Sequence, residues 1–150
     1  SASADVVGRM FLALDVGTKT IGLATSSGAM PIATAWFTLQ REGVKKDVAR
    51  MISAVGGERW EPEQVVVGLP LEMDEAERRI CRLARQVGDA LAAESGWPVC
   101  YQDERWTTIE ARRRLEMKGI TGRRQKETID AEAAAVILED WLSGRAETGG

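Results

Sequence analysis

The sequence contains no histidine among its 150 residues. This absence excludes Ser-His and Cys-His catalytic pairs, histidine general bases and imidazole metal sites. Only two cysteines are present, Cys81 and Cys100. They are too few for a disulfide framework and do not have the spacing of a metal site, so we interpret both as structural. Any catalysis must therefore depend on carboxylates, lysine, tyrosine, hydroxyl groups or a metal.

Long apolar runs and a strong positive charge are also absent. No apolar run approaches the roughly 20 residues that a membrane-spanning helix requires. The first eight residues lack the basic and apolar segments of a signal peptide. The formal net charge is −3, which argues against a generally basic surface but not against a local basic patch. We therefore expect a cytoplasmic protein with no membrane partner.

Length and composition fit one folded domain. Apolar residues make up 44% of the chain and charged residues 29%, as in ordinary globular proteins, and a chain of this length can bury a sizeable core. We predict a single domain over 1–150 with its ordered core at about 9–143. Residues Ser1–Gly8 are expected to form a frayed leader, and the polar residues after Ser143 a loose tail.

The spacing of apolar residues changes along the chain. Short apolar runs predict five strands, over 10–15, 20–25, 32–39, 64–69 and 98–102. Helical spacing follows the third strand and each later strand, so the element order is βββαβαβα with a final helix. This order predicts an α/β fold with a mixed five-stranded sheet and helices on both faces. Ligand sites in such sheets favour the carboxyl ends of strands.

The first predicted strand ends in a carboxylate, Asp15, and leads into a Gly-Thr turn. A carboxylate at the end of a buried strand is costly unless a partner accompanies it. The turn contains Gly17, Thr18 and Lys19, and its backbone, hydroxyl and ammonium groups can contact phosphate. Gly-Thr hairpins are common, so the position of Asp15 directly before the turn is what suggests a functional role.

Two further acids are predicted at element ends, Glu104 after the fifth strand and Asp130 at the start of the last helix. Several carboxylates on one sheet edge suit Mg²⁺ or Mn²⁺, and two such ions can support phosphodiester hydrolysis without histidine. Alternatively the acids act separately, Asp130 with the helix dipole and Glu104 in a surface ion pair with Arg105. Spacing alone leaves both interpretations open.

The segment from Arg105 to Lys126 reverses the overall charge of the chain. It holds eight arginine and lysine residues against two glutamates, a local net charge of +6, which suits contact with a polyanion. Its first part, including arginines 112–114, equally fits a solvated helix face. We predict a basic loop over 119–126, which leads directly to Asp130 and is the better candidate for phosphate contact.

Trp106, Thr107 and Thr108, which follow Glu104 closely, are further candidates for a structural or functional role. Thr107 or Thr108 is predicted to cap the helix that follows. Trp106 is the tryptophan best placed to stack on a base. The other four tryptophans are expected to pack in the core or at its edge.

Several motifs occur together in order along the chain. They are Leu14-Asp15-Val16-Gly17 with Ile21-Gly22-Leu23-Ala24, Val67-Gly68-Leu69-Pro70-Leu71, Asp103-Glu104-Arg105-Trp106-Thr107-Thr108, and Ile129-Asp130 with Ala133 to Leu138. Together they resemble the YqgF (RuvX) family over about Met10–Leu142. The resemblance implies an RNase H-like fold and a bacterial cytoplasmic nuclease. Such a nuclease resolves Holliday junctions or matures the 5′ end of precursor 16S ribosomal RNA, with Mg²⁺ or Mn²⁺.

By this resemblance the family's acidic residues fall on Asp15, Glu104 and Asp130. Two positions depart from the family pattern. Residues 72–75 read Glu-Met-Asp-Glu, where the family usually has an Asn-Met-Asp-Gly type of segment, and this difference bears on substrate contact. Trp106 stands where the family commonly has leucine.

We predict a metal-dependent endonuclease for structured RNA or branched DNA, with Asp15, Glu104 and Asp130 as its catalytic and metal-binding residues. The residues expected to contact nucleic acid are Gly17, Thr18, Lys19, Arg105, Thr107, Thr108, Arg123, Arg124 and Lys126. A homodimer would favour the junction-resolving activity, because two symmetric cuts need a symmetric pair of subunits.

Two alternatives belong to other functional classes. The first is a non-catalytic RNA-binding assembly factor in which the acids serve only structure. The second is an actin-like or sugar-kinase-like phosphotransferase, because the Asp-x-Gly-Thr turn resembles the first phosphate loop of that fold. Such proteins need two related domains and a second phosphate loop, and this chain shows neither.

Overall fold

The structure is a computed structural model that describes residues 8–71 and 74–147. Five strands and four helices in these ranges follow the predicted order. They are β1 (Gly8–Val16), β2 (Thr20–Ser26), β3 (Thr34–Gln40), α1 (Val44–Gly57), β4 (Trp60–Pro70), α2 (Glu75–Ser95), β5 (Val99–Glu104), α3 (Thr107–Met117) and α4 (Gly122–Glu147). Most of the expected leader, residues 1–7, lies outside the described residues.

The strands form one mixed sheet in the order β3-β2-β1-β4-β5. The pairs β1–β2 and β2–β3 are antiparallel, as expected for strands joined by short turns. The pairs β1–β4 and β4–β5 are parallel, and the helical connections α1 and α2 lead into them. The predicted α/β class and mixed five-stranded sheet are confirmed.

Helices cover both faces of the sheet, because alternate strand residues point to opposite sides. On one side, Leu14 of β1 and Val67 of β4 pack with apolar residues of α1 and α2. On the other, Ala13 of β1 and Val66 of β4 pack against α4, and α3 packs against α4. No helix in the described ranges is long and apolar enough to cross a lipid bilayer.

Two glycines let α4 approach the sheet closely. A Cβ atom on Gly22 of β2 would overlap the backbone carbonyl of Asp130, and one on Gly68 of β4 would overlap the side chain of Ile137. A larger residue at either position would push α4 away from the strands. The glycines therefore set the height of α4 above the sheet, and with it the position of the acids that α4 carries.

The largest difference from the prediction is the start of α4. The expected basic loop over 119–126 is helical from Gly122 onward, so Asp130 lies about two turns inside the helix rather than at its start. The arginine, glutamine, lysine and glutamate residues of these turns favour helix, and their charge alone does not distinguish such a helix from a loop. The tail expected to be loose after Ser143 is helical to Glu147.

The start of α3 also differs from the prediction. Neither Thr107 nor Thr108 caps the helix: the N-cap position is held by Trp106, with φ 65°, and no side chain there accepts a capping hydrogen bond. Gly119, with φ 77°, follows the end of α3. The backbone N–H of Ile120 then donates to an α3 carbonyl at 2.8 Å, which is the bonding pattern of a glycine-terminated helix.

Candidate active site

The three parallel strands end at the same edge of the sheet. Their last residues are Val16, Pro70 and Glu104, and Asp15 directly precedes the last residue of β1. The sheet thus places the two strand-borne acids at one edge, as the sequence predicted. This is the edge at which open α/β sheets bind ligands.

Asp15 and Glu104 also share the side of the sheet that α4 covers. Ala13 and Cys100, two and four residues earlier on the same strands, pack against α4, and strand alternation carries the two acids to that side. Strand β4 lies between Asp15 and Glu104, and Glu104 lies two residues further along the sheet than the position level with Asp15. Their Cα atoms are therefore roughly 12 Å apart.

Asp130 joins Asp15 from α4. The close approach of α4 to Gly22, the residue that pairs with Asp15 in the sheet, makes this possible. The hydroxyl of Thr20 donates a hydrogen bond to Asp130 Oδ2 at 2.5 Å. Burial, and to a smaller extent the negative charge of Asp130, raises the pKa of Asp15 from 3.8 to about 7. The two carboxylates repel each other, and the site favours a proton or a cation beside them.

Glu104 has a different acidic neighbour, Asp140 of α4. Burial is the largest cause that raises the pKa of Glu104 to about 9, followed by the hydrogen bond and charge of Asp140, while a hydrogen bond from Thr107 acts in the opposite direction. Its Oε1 atom is buried and accepts no hydrogen bond from a donor group. Asp140 can bond it only when one of the two carboxyl groups carries a proton, so the unprotonated pair leaves Oε1 unsatisfied.

The structure therefore arranges the predicted acids as neighbours on one face rather than as one cluster. Within residues 8–71 and 74–147, no three acidic, cysteine or histidine side chains form a group able to hold one ion together. Asp15 and Asp130 interact, whereas Glu104 lies beyond β4 with Asp140. Sequence reasoning missed Asp140, although it follows Asp130 by ten residues, nearly three helical turns on the same helix.

A cleft of about 660 Å³ opens at this edge of the sheet. Asp15, Glu104, Arg105 and Trp106 line it, and apolar side chains of β4, α2 and α4 form much of the remaining wall. Asp130 is not part of the lining, but it is the charged neighbour of Asp15, which is. The volume lies within the range of about 300–1,000 Å³ that is typical of small-ligand sites.

The structure describes part of the segment 72–75, which we predict to bear on substrate contact. Residues 72 and 73 lie outside the described residues. Asp74 lines the cleft and caps α2, because its Oδ1 accepts a hydrogen bond from the backbone N–H of Glu77 at 2.8 Å. Glu75 forms an ion pair with Arg78 at 3.0 Å. Asp74 therefore serves to cap the start of α2.

The turn between β1 and β2 is braced by Arg41. Its guanidinium donates to the carbonyl of Gly17 at 3.2 Å and to the buried carboxylate of Asp47 at 2.9 Å, and its backbone N–H donates to the carbonyl of Lys19 at 2.9 Å. The N–H of Gly17 already donates to the first residue of β2 at 2.8 Å, so it is not free for a phosphate. The exposed side chains of Thr18 and Lys19 are what the turn offers to a ligand.

Part of the predicted basic segment is neutralised within the fold. Arg113 and Arg114 pair with Glu110 at 2.6 and 3.1 Å, and their hydrogen bonds hold the pKa of Glu110 at about 2. Lys118 pairs with Glu132 at 3.2 Å. The pairs with Glu110 lie within α3, and the Lys118–Glu132 pair joins α3 to α4.

The other predicted phosphate-binding cations remain available. Arg105, Arg123, Arg124 and Lys126 are exposed, and no carboxylate in the described part of the chain lies within 4.0 Å of them. Arg105 stands at the cleft. The other three lie on the first two turns of α4, immediately before Asp130. A positive surface therefore leads along α4 toward the acidic pair.

Comparison with known sequences places the chain in a family. The sequence matches the RuvX family, described as Holliday junction resolvase, over residues 9–144. A relative from Anaeromyxobacter dehalogenans (strain 2CP-C) is 42% identical over 135 residues, covering 90% of this chain and 97% of the relative. A relative from Myxococcus xanthus (strain DK1622) is 40% identical over 131 residues, covering 87% of this chain and 85% of the relative. Both carry the name "Putative pre-16S rRNA nuclease".

Two solved structures share the fold. RuvC from T. thermophilus, in complex with a Holliday junction substrate, aligns with a TM-score of 0.54 and 19% identity over 92% of this chain and 97% of that one. The fowlpox virus resolvase, in complex with Holliday junction DNA, aligns with a TM-score of 0.50 and 8% identity over 90% and 97%. At these identities the likeness concerns the fold alone, and it confirms the predicted RNase H-like architecture.

Proposed function

Because this chain belongs to the RuvX family of nucleases, we propose that it is a divalent-metal-dependent endonuclease that processes the 5′ end of precursor 16S ribosomal RNA. A nuclease is a hydrolase of phosphodiester bonds, and the family establishes that class. The ribosomal RNA substrate is supported by the name of relatives about 40% identical over nearly their whole length. The observation that carries the catalytic proposal is the pair Asp15 and Asp130 beside a cleft at the ends of three parallel strands.

The donor set of this site fits a hard divalent cation. Carboxylate oxygens are the ligands that Mg²⁺ and Mn²⁺ prefer, and Mg²⁺ commonly takes only one or two carboxylates together with waters and substrate phosphates. The mutual repulsion of Asp15 and Asp130 would be relieved by a cation, and the buried Oε1 of Glu104 has no hydrogen-bond donor when Glu104 and Asp140 are both ionised. We infer that Asp15, Asp130 and Glu104 are the residues that would hold such ions.

When bound, such ions supply an activated water and neutralise the charge that develops on the phosphate. The chain's own residues have the remaining tasks. Thr20 holds Asp130 in place through its 2.5 Å hydrogen bond, so that the carboxylate keeps its orientation toward Asp15. Arg105 binds a substrate phosphate at the cleft, and Lys19 binds another from the exposed turn after β1. Arg123, Arg124 and Lys126 bind the flanking backbone along the start of α4.

The description of the matched family favours one second candidate, resolution of Holliday junctions. T. thermophilus RuvC and the fowlpox virus resolvase, two structures that share the fold, were each solved with a Holliday junction. This activity requires two coordinated cuts, and a symmetric pair of subunits would supply them. A homodimer in solution is therefore part of this second candidate. Sedimentation of the protein with and without a four-way junction would reveal it.

The decisive experiment is a parallel digestion of two substrates. Purified protein is incubated with a precursor 16S RNA fragment containing the 5′ leader and with a four-way DNA junction, each with Mg²⁺ or Mn²⁺ and with EDTA. We expect metal-dependent cleavage of the RNA near the mature 5′ end. Asp15→Asn and Asp130→Asn should each reduce that cleavage by at least about 100-fold, since each removes a ligand of the proposed metal site.

Asp103→Asn is the matched control. Asp103 is exposed and adjacent to Glu104, but strand alternation directs it to the opposite side of the sheet, so its loss should leave cleavage within about twofold of the parent. Equal cleavage by Asp15→Asn and the parent would contradict the site assignment. Paired cuts in the junction alone would favour the resolvase. Retained RNA affinity without cleavage under any metal would identify a non-catalytic assembly factor.

A further inference from the structure

All five tryptophans lie within the described residues, and of these Trp106 is the one that the fold does not use for packing. Its relative exposure is 68%, whereas Trp36, Trp60, Trp97 and Trp141 are each partly buried and pack against a hydrophobic core. Exposing a large aromatic ring gains nothing for folding, because the apolar area stays in water. An exposed aromatic residue beside a functional cleft suggests contact with a ligand.

The backbone at Trp106 is held in an unfavourable conformation. Its φ of 65° and ψ of 13° lie in the left-handed region, which is costly for residues with a Cβ atom and is adopted most readily by glycine. Strain of this kind concentrates at functional sites. The conformation occurs between the end of β5 and the first residue of α3, where it turns the chain sharply at the rim of the cleft.

The surroundings of Trp106 match the chemistry of a nucleotide. The ring lines the same cleft as Asp15 and Glu104, so a base stacked on it lies next to the proposed reacting phosphate. Arg105, its neighbour in sequence, is exposed and supplies a cation for the attached phosphate. Ile109 is also exposed, at 55%, and lines the cleft, so it extends the apolar surface by one helical turn. Aromatic rings accept any base by stacking, and an adjacent cation holds the backbone.

We propose that Trp106 stacks on an unpaired base next to the scissile phosphate and thereby selects unpaired RNA over a continuous duplex. In a duplex both faces of each base are already stacked, so the ring has no free face to contact. In a single-stranded segment or a bulge one face is available. This inference rests on the proposed nuclease function, and it adds a selection step that the acids alone do not provide.

Binding of short RNAs tests the proposal. A 12-nucleotide single-stranded RNA carrying 2-aminopurine at each position in turn is bound to the full chain with Asp15→Asn, in EDTA, so that no cleavage occurs. Stacking on Trp106 should quench 2-aminopurine relative to the free RNA. Trp106→Ala should abolish that quenching and weaken single-strand binding by about 10-fold, within the range of about 5- to 150-fold that corresponds to one stacked base.

Two further variants separate stacking from mere contact. Trp106→Phe keeps an aromatic ring and should bind within about threefold of the parent, whereas Trp106→Leu is apolar without a π face and should behave like the alanine variant. Binding of the same sequence as a blunt duplex should change by less than twofold. Met117→Ala, at the other end of α3 and 75% exposed, is the control and should change neither binding nor quenching.

Each outcome decides the proposal. Unchanged single-strand affinity in both Trp106→Ala and Trp106→Leu would overturn the stacking role while leaving the nuclease assignment intact, provided that the unmodified chain still cleaves RNA. Equal losses for single strand and duplex would show a non-selective contact and also overturn it. Absence of any RNA binding and cleavage by the unmodified chain would overturn the proposed function together with this inference.

Discussion

Replacing Asp15 by asparagine should stabilise the metal-free protein at high pH while removing its activity. The charge of Asp15 destabilises the fold, because the side chain is half-buried at the end of β1 and faces the charge of Asp130. These two effects raise the pKa of Asp15 from 3.8 to about 7. A neutral amide of nearly the same shape removes the charge but keeps the volume. The variant therefore separates the electrostatic cost of the site from its packing.

The sign of the effect follows from the pKa in the folded and unfolded chains. The folded state holds the Asp15 proton more tightly than the unfolded state, so stability falls as pH rises from about 4 to about 7 and the full cost is present above pH 7. The difference between 3.8 and about 7, at 1.36 kcal/mol per pKa unit, corresponds to about 4 kcal/mol. Asp15 is partly open to solvent at the cleft, and screening there reduces the expected gain to about 2 kcal/mol.

Urea unfolding at pH 4, 5, 6, 7 and 8 in EDTA measures this gain directly. The free energy of unfolding of Asp15→Asn should exceed that of the parent by about 2 kcal/mol at pH 8, and the excess should decline as the pH falls from about 7 and approach zero only near pH 4. Asp103→Asn, outside the acidic pair, controls for the loss of one formal charge. A gain that is absent at pH 8, or that does not decline as pH falls, would refute the electrostatic account of the Asp15–Asp130 pair.

Adding Mn²⁺ or Mg²⁺ gives the same experiment a second arm. A cation that binds only the folded state raises stability in proportion to its occupancy, so the parent should gain stability on addition of metal at pH 8. Asp15→Asn should gain little, because it lacks one of the proposed metal ligands. Equal stabilisation of both proteins by the metal would contradict the assignment of Asp15 as a ligand while leaving the pH result valid.

Three further predictions concern the framework of the site. Arg41→Met leaves the fully buried carboxylate of Asp47 without its closest cation and should lower the free energy of unfolding by about 3 kcal/mol, measured in urea. A loss under about 1 kcal/mol would mean that backbone N–H donation is enough to stabilise the buried carboxylate. Gly22→Ala forces α4 away from β2 and should lower the free energy of unfolding by about 3 kcal/mol. Gly57→Ala is the control and should be nearly neutral, because a Cβ atom there meets open space. Equal effects of the two variants would contradict the close approach of α4 to Gly22. Trp106→Gly relieves the positive φ and should raise stability by about 0.5–1 kcal/mol while weakening RNA binding, and a loss of stability would argue against strain.

The topology of the sheet could be predicted because its signals are local. The Asp-x-Gly-Thr turn joins β1 to β2 at the predicted place, and the continuous apolar run Val65-Val66-Val67 lies in a central strand covered on both faces. Strand ends differ by a few residues: β4 begins at Trp60 rather than at residue 64. Its first residues are mostly polar, so a prediction based on apolar runs does not include them.

The start of α4 could not be predicted for a physical reason. Charged residues between Gly122 and Asp130 satisfy two descriptions equally, a phosphate-binding loop and a solvated helix, because long polar side chains have high helix propensity. Asp130 still reaches Asp15, but through the side of a helix that Gly22 admits close to the sheet, not through a helix N-terminus. The predicted neighbours were therefore brought together by a contact that the sequence pattern does not encode.

The partner of Glu104 was unpredictable for a related reason. Asp140 reaches Glu104 only because α4 crosses the strand ends at a height set by Gly22 and Gly68, and a pairing across elements leaves no periodic signal in either segment. The result is two acidic pairs whose charges oppose folding, Asp15 with Asp130 and Glu104 with Asp140. A fold selected for stability alone would neutralise these groups, as it does for Glu110 with two arginines. Here the acids at the edge of the cleft repel each other, while surface acids nearby are paired with cations. This arrangement is expected of a site whose negative charge is needed to bind a ligand.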